Sequence, residues 1–298
     1  MSSRLQNPGV GQPFVTSSGR LTKGDGWLAR RLRRVVRFRY FDRIERHIPA
    51  GSAVLEFGCG GGDAWLARNY RMTGLELAES SAQAASRLYS KVLTADVCAI
   101  PAKADSFDGA ASIFLLEHLS AEAAPKALRE LARVLRRGGK LICVCDLECD
   151  HPLLNWARSR HPQGYHEAFI EVPGHWGLRR EKAWKTLLQD AGFVIIEWRL
   201  KSRFPILDHC PWVQLSLSKH LPALAQKLGR FAYWLSRQRG VSPAWLICST
   251  LLDDVFRPVL PRNWAYRLLF VAEKRSNTVD DSGIGEKRLK GPENRSFA

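Results

Sequence analysis

The 298-residue chain lacks any run of about 18 uncharged apolar residues, the length a helix needs to cross a bilayer. Its best candidate, Val241 to Leu252, is too short and is closed by Asp253 and Asp254. Met1 to Lys23 has no apolar core followed by a cleavage site, so no secretory leader is expected. Acidic residues are scarce: 29 Asp+Glu stand against 45 Lys+Arg, a formal net charge of +16. That excess favours anionic neighbours, whether nucleic acid, an anionic membrane surface or a phosphorylated substrate, without choosing among them. CxxC pairs are missing. The seven cysteines, an odd number, fit a reduced, cytoplasmic setting. Cys143, Cys145 and Cys149 cluster, but alternation inside an apolar strand explains the first two as packing residues, and no metal site is expected.

What is present is a regular alternation of short apolar runs and helical patterns between two tails, 1–26 and 276–298, rich in small and polar residues. Trp27 to Ile48 reads as a basic amphipathic helix, with Leu28, Leu32, Val35 and Val36 at helical spacing among Arg30, Arg31, Arg33, Arg34, Arg37 and Arg39. Strands are expected at 52–57, 72–77, 92–95, 107–116, 140–146, 193–200 and 266–274, with helices between most of them. This pattern predicts an α/β, doubly wound, mostly parallel seven-stranded sheet. Residues 201–265 break the rhythm with apolar, aromatic and basic helical segments. They read as a helical insertion before the last strand, leaving 50–200 and 266–275 as the core.

The strongest motif is Val54-Leu55-Glu56-Phe57-Gly58-Cys59-Gly60-Gly61-Gly62-Asp63, an apolar strand running through glycines into a helix. Glycines serve where backbone must turn tightly and approach a ligand. A dinucleotide fingerprint would need a third glycine where Asp63 stands, and no Gly-Lys-Ser/Thr follows for a phosphate loop. Asp63 would repel a pyrophosphate. A cationic or zwitterionic ligand such as S-adenosylmethionine suits Glu56 and Asp63 better. Glu76 ends the second strand and Asp96 the third, each 20 residues after the previous acid. In a doubly wound sheet these points share one edge, where an acid after strand two can accept ribose hydroxyls and one after strand three the adenine amino group. A glycine-rich turn without a ligand is the bland alternative.

On these residues the chain resembles the class I S-adenosylmethionine-dependent methyltransferases, particularly their broad small-molecule group. Glu56 to Gly62 matches E/D-x-G-x-G-x-G. Glu76 matches the ribose acid and Asp96 the adenine acid. Asp108, Glu117-His118 and Leu135-Arg136-Arg137-Gly138-Gly139 match around strands four and five. The resemblance implies S-adenosylmethionine as cofactor, held by Glu56, Gly58, Cys59, Gly60, Gly62, Asp63, Glu76, Leu77, Asp96 and Val97. It also implies an antiparallel last strand. The N-terminal helix and the insertion lie outside the shared core.

Methyl transfer from a sulfonium is an in-line displacement, so positioning the acceptor and excluding water carry much of the catalysis. His118, just past strand four, is the first candidate base. His175, before the helix that precedes strand six, is the second. Either also reads as a packing residue. His166 and Tyr165 lie in the segment that must pass over the same edge. No Asn/Asp-Pro-Pro-aromatic motif follows strand four and no Pro-Cys occurs, which points away from base-amine and cytosine-C5 methylation. The expected acceptor is a small or lipid-linked molecule. Peripheral contact with an anionic membrane at the cytoplasmic face is suggested by Trp212, Phe231, Tyr233, Trp234 and Trp245 among basic residues. Nucleic acid is the less favoured partner. An RNA methyltransferase and a non-catalytic S-adenosylmethionine-binding protein are the alternatives.

Overall fold

A computed structural model describes residues 35–204, 209–238 and 240–275. Its sheet holds seven strands: β1 Ala53–Phe57, β2 Arg71–Glu76, β3 Lys91–Thr94, β4 Phe107–Ile113, β5 Leu135–Asp146, β6 Phe193–Lys201 and β7 Arg267–Lys274. They lie in the order β3-β2-β1-β4-β5-β7-β6. All neighbouring pairs are parallel except those of β7, which runs antiparallel to both β5 and β6. The strand order reverses between β1 and β4, which opens a crevice at their carboxyl ends. The expected α/β class, doubly wound sheet and antiparallel last strand are all present.

The α-helices are α1 Val36–His47, α2 Ala64–Asn69, α3 Glu79–Ala85, α4 Ala123–Val134, α5 Pro152–Arg160, α6 Pro162–Tyr165, α7 Glu181–Asp190, α8 His209–Gln214, α9 Ala223–Ser236 and α10 Val241–Phe256. The last three occupy the segment read as an insertion. Strand β5 shows how a mostly apolar run fills both faces of a sheet. Leu141, Cys143 and Cys145 enter one buried cluster, with Leu128 and Leu131 of α4 and Trp184 of α7. Ile142 and Val144 enter the opposite cluster, with Tyr40, Phe41, Ile44 and Ile48. Cys143 and Cys145 are therefore packing residues, and burial pushes both thiols well above their usual range.

The N-terminal helix is described only in part. Its first part, with Leu28, Leu32 and the arginines at 30–34, lies outside the described residues. From Val36 onward it is part of the core: Tyr40, Phe41, Ile44 and Ile48 are at most 1% exposed. Ile48 fills the space above Gly109 of β4, where a Cβ would sit 2.3 Å from its Cδ1. The helix's arginines are also partly committed to the fold. Arg39 pairs with Asp254 of α10 at 2.8 Å, and Arg43 pairs with Asp42 and, at 3.0 Å, with Glu197 of β6. Asp254 also binds Lys201, which ties the inserted helix to both α1 and the end of β6.

Candidate active site

Residues Gly58 to Gly62 form a tight turn from β1 into α2, with Gly58, Gly60 and Gly62 all at positive φ. At Gly60 (φ 52°) a Cβ would meet nothing within 4 Å, so the turn presents bare backbone to open space. The acids expected to face a ligand divide into two groups. Glu56 is buried, 4% exposed, and accepts a hydrogen bond from the Tyr89 hydroxyl, which itself accepts from the Asp63 amide at 2.7 Å. Asp63 is 5% exposed and caps α2, accepting from the Trp65 and Leu66 amides at 2.8 and 3.2 Å. These two carboxylates sit beneath the turn and set its shape, which accounts for them without direct ligand contact.

Glu76 and Asp96 face outward. Glu76 accepts from the Gly60 amide at 2.8 Å and from the Ala78 amide at 3.0 Å, so it fastens the turn to the end of β2. Each of its oxygens keeps a lone pair free. Leu77 beside it is 71% exposed. Asp96, two residues past the end of β3, is exposed and accepts from the Cys98 amide at 2.8 Å. Strand pairing sets Glu76 beside Thr94, which brings the two acids to one edge. Cys59 and Val97 are buried behind them.

Beyond β4 the chain turns sharply: Phe114 sits at φ 60°, an uncommon conformation for a bulky residue. A 3₁₀ turn, Leu116–His118, follows. Over it lies a strap formed by the π-helical turn His166–Glu171 and the residues to Leu178. Gly177 fixes the strap: its amide donates to the Glu117 carbonyl at 2.6 Å, and a Cβ there would lie 2.3 Å from the Leu119 carbonyl oxygen. Arg179 adds hydrogen bonds to the carbonyls of Leu119, Ser120 and Gly177.

This docking brings together His118 and His175, the two candidate bases, with ring centroids 5.0 Å apart. His118 is exposed, and its Nδ1–H donates to the Gly174 carbonyl at 3.0 Å. His175 is 7% exposed, and burial lowers its pKa to about 4, so it is a neutral ring at physiological pH. His166 and Tyr165 do not join them. His166 lines a separate depression of about 430 Å³ with Glu171 and His220, and Tyr165 stacks on Phe169 at 5.3 Å.

Two features are weakly signalled in the sequence. Glu117, there only one residue of a motif, is 1% exposed, and burial beside Asp146 holds its carboxyl well above the usual range. Asp146, the last residue of β5, forms a buried 2.8 Å ion pair with Arg267, the first residue of β7. The pair's signal was a charge at each end of two apolar strands, which is readable only once their antiparallel register is known.

Residues 55–143 match the family described as "Methyltransferase domain". A 107-residue segment is 33% identical to the mouse (Mus musculus) tRNA (carboxymethyluridine(34)-5-O)-methyltransferase ALKBH8, spanning 35% of this chain and 16% of that protein. A 95-residue segment is 36% identical to the Arabidopsis thaliana tRNA (carboxymethyluridine(34)-5-O)-methyltransferase, spanning 31% of this chain and 23% of that one. The match thus spans between a sixth and a quarter of these relatives' length. Among solved structures, the Haemonchus contortus phosphoethanolamine N-methyltransferase 2 with S-adenosyl-L-methionine superposes with a TM-score of 0.54 at 14% identity, covering 91% of this chain and 60% of that one. At that identity the likeness is one of fold.

The tRNA-directed relatives overturn the expected small or amphiphilic acceptor, and with it the ranking of nucleic acid as the less favoured partner. The physical reason lies in the motif used to exclude it. An Asn/Asp-Pro-Pro-aromatic element serves amine acceptors on bases, and its absence is silent on oxygen acceptors. Among the described residues no helix is long and apolar enough to cross a membrane. With its reversed strand order, its glycine turn and its matched domain, the chain carries a methyltransferase domain with the class I fold.

Proposed function

We propose that this protein transfers the methyl group of S-adenosylmethionine to an RNA acceptor, with tRNA as the first candidate class. The observation that carries the methyl-donor half is the Gly60–Glu76 unit: bare backbone at the apex of the turn, fastened to a carboxylate with free lone pairs. Glu76 would accept from the ribose hydroxyls, Leu77 would cover the nucleoside, and Asp96 would take the adenine amino group. The donor supplies an activated sulfonium methyl. His118 and His175 stand at the end of β4, beside the expected methyl position, where a neutral imidazole can take a proton from an acceptor that must lose one.

The RNA half is supported by the tRNA-directed relatives, by the net charge of +16, and by a depression of about 280 Å³ in which five arginines (Arg39, Arg43, Arg46, Arg199 and Arg257) outnumber the two carboxylates, Asp42 and Asp254, that pair with some of them. Arg199 lies two residues before the end of β6. That end is paired with Arg267, opposite Asp146, so the depression approaches the ligand edge. Arginines are suited to phosphates because their planar donors match the oxygens.

The test is transfer of radiolabelled methyl from S-adenosylmethionine to separated pools of tRNA, ribosomal RNA and total small RNA, beside the Glu76→Ala protein. Label entering tRNA only with the intact site is the expected result. Tight cofactor binding with no label in any RNA pool would overturn the acceptor assignment.

A further inference from the structure

Glu117 is buried at the ligand edge, and neither of its carboxylate oxygens has a hydrogen bond of good geometry, its nearest donors being the backbone amides of Glu117 and Asp146. A carboxylate in that state is strongly unfavourable unless a proton or a cation neutralises it. The neighbouring cations are already committed: Arg267 pairs with Asp146, and Arg179 is held by three carbonyls. The two histidines facing Glu117 supply more lone pairs. His118 gives its Nδ1–H to the Gly174 carbonyl, which leaves Nε2 as the bare nitrogen. The His175 ring has a backbone hydrogen bond to Phe169, and its Nδ1 is without a partner. One ligand atom from each of Glu117, His118 and His175 lies within 4.8 Å of the other two. Such an arrangement of acceptors, with the ring tautomers fixed by carbonyls behind them, is how proteins prepare histidines for a metal.

We propose that Glu117, His118 and His175 form a binding site for a divalent transition-metal cation. Two imidazoles and one carboxylate suit zinc, iron(II) or manganese(II) better than magnesium or calcium. Metal–ligand bonds near 2.1 Å place donors about 3.3 Å apart, so movements of about 1 Å close the cluster on an ion. His118 is on the exposed side, so open coordination positions face the solvent at the end of β4. With the cation bound the imidazole lone pairs are occupied, and the cation, in place of a histidine base, would polarise an acceptor oxygen. That role rests on the methyl-transfer reading above, whereas cation binding does not. Cysteine spacing, on which no metal was expected, carries no sign of this site. These ligands come from the β4–α4 turn and from a strap more than 50 residues later.

The experiment uses the full chain stripped with chelator and dialysed, titrated with Co²⁺ by visible absorption and with Zn²⁺ and Mn²⁺ by calorimetry. One equivalent is expected, with affinity lowered at least about 30-fold in Glu117→Gln and in His175→Gln. The His220→Gln control, in the separate depression, should bind as the parent does, and so should Glu76→Ala. Circular dichroism checks that each variant folds. Equal Co²⁺ binding in the parent, Glu117→Gln and His175→Gln would overturn the site. So would no binding in the parent, in which case Glu117 is held as the neutral acid. Cation binding without methyl transfer would count against the function proposed above and leave the site standing.

Discussion

The Gly60 amide donates to the Glu76 carboxylate at 2.8 Å, joining the apex of the glycine turn to the end of the neighbouring strand. Hydrogen bonds to a charged group contribute roughly 1.5–3 kcal/mol each. Replacing Glu76 by Ala loosens the turn and removes the expected ribose contacts together. Calorimetry with S-adenosylmethionine should show affinity lowered about 100-fold, with Gly60→Arg equally impaired and no binding of NADH to any form. Undiminished binding to Glu76→Ala would place the cofactor elsewhere.

Asp146 and Arg267 are both buried, at 4% and 3% exposure, and Arg267 also lies 4.7 Å over the Phe114 ring. Removing one partner of a buried pair typically costs about 3–5 kcal/mol, because the other charge is left uncompensated. Arg267→Met should therefore lower the urea midpoint sharply. The double variant Asp146→Leu/Arg267→Met should recover most of the loss. A single variant as stable as the parent would show that the pair is not holding β5 against β7.

Asp150 is held at about 2, below the ordinary 3.8, first by the Arg180 guanidinium and also by Arg158 and Asn263. Its folded-state value is depressed, so the stabilisation it gives is present above about pH 4 and is lost as pH falls through about 2. Urea midpoints of the parent and Asp150→Asn should differ near pH 6 and converge towards pH 2. A gap that stays constant over that range would rule out the ionised carboxylate as its source.

Gly177 seats the strap where three carbonyl oxygens, of Leu116, Glu117 and Leu119, crowd its α-carbon. Gly177→Ala should cost about 1–3 kcal/mol by overpacking and should speed limited proteolysis between 165 and 178. Gly61→Ala is the control. Its Cβ would meet only the Ala84 methyl at an ordinary 3.8 Å, and its effect should stay within about 0.5 kcal/mol.

If the basic depression tracks phosphates, RNA affinity should fall linearly with the logarithm of salt concentration. Arg46 and Arg257 are exposed at its rim. Each Arg→Gln change there should lower the slope by about 1, measured by filter binding over a salt series. A slope unaffected by both changes would move the RNA path to another surface.

Much of this was legible in one dimension. Runs such as Ala53–Leu55 and Leu141–Val144 are apolar on both faces, which demands a sheet covered on both sides, and the helices between them demand parallel strands. Four glycines in a strand-to-helix turn, with acids at three successive strand ends, marked the expected ligand edge because spacing along the chain sets position along a parallel sheet. Absent motifs were weaker guides. They removed particular acceptors and were then read too broadly, as favouring a small one.

Sequence alone thus determined the sheet, its open edge and the methyltransferase domain, since all three follow from local periodicity and short-range spacing. Only the tertiary structure decided what each acid does. Glu56 and Asp63 turned inward because Tyr89 and the amides of α2 were there to receive them, while Glu76 stayed outward. It also decided that α1 belongs to the core, and that His118 and His175 meet over Glu117. Those contacts join residues far apart in the chain, through a strap whose path is set by packing at Gly177. No local pattern encodes which distant carbonyls will close around a glycine.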